Sequence, residues 1–179
     1  MLKNSTRVFI IILMSVLQST LFQYLSINNV SPNLFVITIV SISSLRGRKE
    51  GLIYATFFGL IQDILYGNTV GFYVLIYMLI AALAGYLYQN YYTESMVIPL
   101  VAIGIGDYIY NVLVYVFTYL MRGKVDLIYY TFNLIFPEIT YTLFIAVILY
   151  RILILYSQFL NEYEKEKRKG DDDFYERNS

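Results

Sequence analysis

The chain contains neither cysteine nor histidine. Without thiols it has no disulfide, no thiolate ligand and no cysteine nucleophile; without imidazole it has no histidine base or metal ligand. No metal or cofactor site is therefore expected. Tryptophan is absent too, and prolines number only three. Charge is scarce at 15% of residues. It is also displaced to one end, because 7 of the 13 acidic and 5 of the 13 basic residues lie beyond position 160. The first 160 residues are poorer still, and no nucleic-acid partner is expected.

What fills the chain instead is apolar: 58% of residues, with a mean hydropathy of +0.58. That balance lies far outside the soluble range and indicates an all-α integral membrane protein. The basic start and apolar run of MLKNSTRVFIIILMSVLQSTLFQYL lack a small-x-small cleavage site, so this segment reads as a retained first helix. Apolar stretches bounded by polar or turn-forming residues give six spans, at roughly 8–25, 32–45, 51–66, 71–90, 95–121 and 127–156. The second and third are short. Sixteen residues reach only about 24 Å against a hydrocarbon core of about 30 Å, so thinned bilayer or neighbouring helices must shelter them.

Lys and Arg in the short loops orient the spans. Eleven of the 13, including Lys3, Arg7, Arg46, Arg48, Lys49 and Arg151, fall on one side if both termini are cytoplasmic; only Arg122 and Lys124 fall outside. The expected topology is six transmembrane helices, N-in and C-in, in a membrane domain over 1–156. Residues 157–179 form a charged cytoplasmic tail, helical to about Lys169 and disordered after Gly170 and the three aspartates. Of the 20 tyrosines, Tyr24, Tyr66, Tyr91, Tyr92, Tyr119, Tyr129 and Tyr130 fall near span ends and suit an interfacial belt. The loops leave no room for a soluble catalytic or nucleotide-binding domain.

Within the third span, Gly51, Ala55, Gly59, Asp63 and Gly67 stand four apart. Small residues at that spacing let helix backbones approach closely, so the stripe reads as a helix-packing or partner-docking surface, with Asp63 as a polar clasp near its outer end. Ser15, Ser19 and Gln23 repeat the spacing in span one with Gln18 on the flank, and Ala81, Gly85 and Gln89 in span four.

Three acids lie inside apolar stretches: Asp63, Asp107 and Glu138. A lone ionised carboxylate there costs on the order of 3 kcal/mol or more, so each needs a proton, a hydrogen-bond partner or a wet cavity. A proton or cation path is one reading. Local satisfaction is the other, pairing Asp63 with Gln62, Asp107 with Asn111 and Glu138 with Thr142. Among helix breakers only Pro137 lies deep in a span, whereas transport sites are usually built from several broken helices. GIGD (104–107) matches the GxGD of intramembrane aspartyl proteases, with Asp63 as the formal second acid. Those families, however, set Tyr-Asp or a similar motif on the earlier helix, and here Gln62-Asp63 stands there.

Taken in order, LQSTLFQYL (17–25), Ser31-Pro32-Asn33-Leu34, Arg46-Gly47-Arg48-Lys49-Glu50-Gly51, Gly59-Leu60-Ile61-Gln62-Asp63 with Gly67 and Gly71, and Ala84-Gly85-Tyr86-Leu87 resemble the rod shape-determining MreD family over roughly residues 10–150. One departure is Pro32-Asn33, where the family commonly has Pro-Asp. The resemblance implies a non-enzymatic subunit of the bacterial elongation (rod) complex in the cytoplasmic membrane. It would pair with the bitopic protein MreC and link MreB filaments to a RodA-type polymerase and a penicillin-binding transpeptidase in peptidoglycan synthesis. MreD-like proteins are also similar in architecture to the S components of energy-coupling-factor transporters, which makes vitamin uptake the alternative. On this reading the basic loop Arg46, Arg48 and Lys49 anchors the cytoplasmic face to lipid or a filament, and Gln18, Asp107, Asn111 and Glu138 are intramembrane polar groups.

Overall fold

The computed structural model describes residues 2–21, 26, 30–67, 70–90, 97–118 and 130–177. Among these there are six helices and no strand. Helix α1 (Leu2–Val16) widens into a π turn over Leu17–Leu21. Helix α2 (Leu34–Arg46) begins just after Pro32, where Asn33 supplies an N-cap, its side-chain oxygen accepting Val36 N at 3.2 Å. Gly47, at φ +90°, is the whole connection to α3 (Arg48–Tyr66), a left-handed conformation that a residue with a Cβ would resist. Gly71, at φ +101°, makes the corresponding turn into α4 (Phe72–Asn90).

Helix α5 (Val97–Thr118) carries Pro99 in its first turn, where the missing N–H would have had no partner. The last helix opens with a π turn over Thr131–Ile135 and continues as α6 (Phe136–Arg177). Pro137 therefore does not break the helix. It stands just after a widened turn in which Phe136 N reaches back to Thr131 O, and such a turn accommodates the proline ring and its missing donor. The helix also continues through Gly170 and Asp171–Asp173 to Arg177, past the end expected near Lys169. One glycine costs only about 1 kcal/mol in a helix already nucleated.

Helix α2 is the axle of the bundle. Every residue from Leu34 to Ser43 is buried, and α2 packs against α1, α3, α4, α5 and α6. At 13 residues it is about 20 Å long, too short to cross a bilayer unaided. Its neighbours bury it on every side, whereas α3, expected to be as short, runs to 19 residues, about 28 Å. The closest pairing is between α3 and α4. Outward faces are apolar: Phe9, Ile64, Leu75, Val101, Ile105, Phe144 and Leu155 are all more than half exposed. Patches of that kind belong against lipid or another protein rather than water. Two helices, Val97–Thr118 and Thr131–Glu162, are long and apolar enough to cross a membrane.

Candidate functional site

The small-residue stripe of α3 faces inward. A Cβ on Gly59 would stand 2.4 Å from Val74 Cα on α4, and one on Gly51 2.7 Å from Ser43 Cβ on α2. Ala55 is fully buried between them. From the other side, a Cβ on Gly85 of α4 would meet Arg48 Cα at 2.6 Å. The stripe is an internal seam joining α2, α3 and α4, and no partner helix can enter it. The docking half of its expected role is corrected by that geometry. Gly67 ends α3, its N–H bonding Asp63 O at 3.0 Å.

Asp63 does clasp something, and it lies within the chain. Its carboxylate accepts Gly71 N at 2.8 Å and Tyr73 N at 2.9 Å, two donors at the start of α4 that the helix itself cannot satisfy. A negative group there also suits the positive end of the α4 dipole. Gln62, expected to serve Asp63, instead lines a cavity.

That cavity lies where α2 begins. It encloses about 120 Å³ and is lined by Gln18, Ser31, Asn33, Phe35, Gln62, Tyr77, Tyr110 and Glu138. Around it polar groups of α1, α3, α4, α5 and α6 converge on the segment that caps α2. Gln18 bridges α1 to α2, donating to Pro32 O at 3.2 Å and accepting Leu34 N at 2.8 Å. Asn33 N donates to Thr142 Oγ1 of α6 at 3.1 Å. The first N–H groups of α2 are thus held by side chains from three segments. Ser15 and Ser19 bond back to their own helix, at Ile11 O and Val16 O, while Gln23 lies outside the described residues.

The acids have exchanged the partners expected of them. Asn111 donates to the backbone carbonyl of Asp107 at 3.0 Å and its side chain faces Glu138. Thr142 and Asn33 face Asp107 instead. Asp107 is fully buried, and among the described residues neither of its carboxyl oxygens has a partner in full hydrogen-bond geometry, Thr142 and Asn33 standing only within reach. Asp107 and Glu138 lie near enough to repel each other when both are charged, and Tyr77 feels both. Asp107 thus lies near Glu138, while Asp63 is engaged at α4. The two-aspartate arrangement that an intramembrane protease would need is not built from these residues.

Tyrosine serves the interior as well as the ends. Tyr77 and Tyr110 stack at 5.4 Å between ring centres, Phe35 meets Tyr77 edge-on at 6.2 Å and stacks on Phe58 at 4.6 Å, and Tyr54 follows at 6.1 Å. The Tyr54 hydroxyl contacts that of Tyr156 at 3.2 Å. This column joins the cavity to the opposite end of the bundle. Of the expected belt, Tyr66 is exposed and Tyr130 half-buried; Tyr24, Tyr91, Tyr92, Tyr119 and Tyr129 lie outside the described residues.

At that opposite end the basic loop divides its labour. Arg46 donates to Ser157 O at 3.3 Å and Asn161 Oδ1 at 3.0 Å, tying the loop to α6. Arg7 grips Glu50 with two bonds, Nε to Oε2 at 3.0 Å and Nη2 to Oε1. Arg48 and Lys49 are exposed. A separate apolar cleft of about 240 Å³ opens between α4 and α5, lined by Ile80, Leu83, Ala84, Ala102, Ile105 and Ile109 with Val40 and Gly106 at its floor.

The sequence profile of the family described as rod shape-determining protein MreD matches residues 3–160. The chain belongs to the MreD family. That makes it a rod-shape-determining membrane protein, of a family known for structural rather than enzymatic roles. No curated protein and no solved structure matches it. In this MreD-family chain the matched stretch takes in both the polar cavity and the apolar cleft. The cleft and the aromatic column were not legible in the sequence. Residues 80, 84, 102, 106 and 109 show helical spacing on each helix, but only the crossing of α4 and α5 brings the two sets together.

Proposed function

We propose that the chain is a non-enzymatic, six-span, N-in/C-in subunit of the elongation complex in the bacterial cytoplasmic membrane. It pairs with an MreC-like bitopic protein and, through it, links MreB filaments to a RodA-type polymerase and a penicillin-binding transpeptidase. The observation that carries this reading is the family match over residues 3–160. The fold supports it: a partner with a single transmembrane helix needs an apolar, membrane-level face with small residues, and the α4–α5 cleft with Ala84, Ala102 and Gly106 has that chemistry. Arg48 and Lys49 lie exposed at the end assigned to the cytoplasm, available to anionic headgroups or a filament.

The vitamin-transport alternative gains nothing from the polar cavity. Sites that bury drug-sized ligands enclose about 300–1,000 Å³, well above the 120 Å³ found here. Depleting the protein in its own host tests the proposal. Rods should widen and round up; rods of unchanged width after depletion would contradict it.

A further inference from the structure

The cavity at the head of α2 has a composition that helix capping alone does not explain. Gln18 and the Asn33 side-chain oxygen are engaged with the first N–H groups of α2. Glu138 lines the cavity, and Asp107, fully buried, stands next to Glu138 and within reach of Asn33 and Thr142, although among the described residues neither of its carboxyl oxygens has a partner in full hydrogen-bond geometry. Glu138 is the carboxyl group in the lining, Asp107 lies next to it outside the lining, and no described lining side chain is a Lys or Arg. A carboxylate so placed calls for a positive charge or a proton.

We propose that this cavity binds a small monovalent cation, held by Glu138 with Asp107 beside it. The lining residues carry oxygen donors: the Glu138 carboxyl, the Gln18 and Gln62 amides, Ser31, Tyr77 and Tyr110. Such hard ligands suit alkali or ammonium ions rather than soft metals. Charge limits the ion to one unit. One ionised carboxylate balanced by one cation leaves the interior neutral, provided the second acid keeps its proton. Size agrees, since about 120 Å³ is room for about four waters at about 30 Å³ each, or one ion with part of its hydration shell. Bound there, the ion would pin α2, α5 and α6 together where their polar groups meet. This inference is independent of any partner protein.

Thermal unfolding of the purified full chain in detergent provides the test, with sodium, potassium or ammonium chloride compared against N-methylglucamine chloride at equal ionic strength. At least one small cation should raise the midpoint by about 3 °C or more over the bulky one. Glu138→Gln and Asp107→Asn should each remove that difference. Equal midpoints in all four salts would overturn the proposal, as would an ion-specific shift that survives in Glu138→Gln or in Asp107→Asn. Should the variants not fold, equilibrium dialysis of the wild-type protein against radioactive sodium and rubidium decides. Saturable uptake near one ion per chain, displaced by excess unlabelled salt, supports the site, and uptake that does not saturate rejects it.

Discussion

At the scale of single residues, the polar groups inside the apolar segments act chiefly on helix beginnings. Asp63 holds Gly71 N and Tyr73 N, Gln18 holds Leu34 N, and Asn33 holds Val36 N. In a medium without water an unsatisfied amide is expensive, which gives each of these caps more weight than the ~1 kcal/mol typical of exposed ones. Asp63→Ala should therefore destabilise the purified protein by about 2–3 kcal/mol, since it strands two donors in the interior. Asp63→Asn should recover part of the loss, because one amide oxygen can still accept. Unfolding midpoints in detergent check both. The sequence showed that Asp63 would have to bond to something. It could not show what, because the partner N–H groups lie eight and ten residues on, beyond a turn, and backbone donors carry no sequence mark. Asp107 and Glu138 were misassigned for a related reason. Spacing of four residues along one helix suggested Asn111 for Asp107 and Thr142 for Glu138, but each acid instead faces the polar group expected to serve the other.

At the scale of helices, glycine positions decide how closely neighbours approach. Gly59→Leu places side-chain atoms where the α4 backbone already stands, and a backbone cannot give way as a flexible side chain can. That variant should fail to accumulate in the membrane as folded protein. Gly104→Ala is the matched control: a Cβ there meets only Leu143 side-chain carbons at 3.6 Å, ordinary contact, so its midpoint should stay within a degree or two or rise slightly. Size-exclusion profiles of the two variants separate these outcomes. The six helices were legible from apolar runs, and their boundaries agree with the structure to within a few residues for α2, α3 and α4. The stripe was legible as a contact surface, but not the identity of what it contacts. A four-residue repeat of small residues looks the same whether the facing helix belongs to the chain or to a partner. Burial of α2 on every side left the clearest trace, since a stretch too short to span must be sheltered by others.

At the scale of the whole molecule, the proposed N-in/C-in topology makes a prediction that the composition renders easy to test. The chain has no cysteine, so single cysteines introduce the only thiols. Val70→Cys, at a position 75% exposed in the turn before α4, should react with a membrane-impermeant maleimide added to intact spheroplasts. Lys49→Cys, on the opposite end, should react only after permeabilisation. The reverse pattern would invert the topology. The same scale contains the proposed partner surface, the α4–α5 cleft, which no local pattern in the sequence displays because it arises from two helices crossing. Filling the α4–α5 cleft by Ala102→Phe should leave the unfolding midpoint nearly unchanged, since the position is only half-buried, yet reduce recovery of an apolar partner helix severalfold. The measurement that bears most directly on the account is affinity purification of the tagged full chain from detergent-solubilised host membranes, with its companions identified by mass spectrometry. The account predicts a bitopic, coiled-coil MreC-like protein in near-stoichiometric amount, lost in Ala102→Phe. Recovery of the folded chain without that partner, or with a transporter coupling subunit in its place, would contradict it.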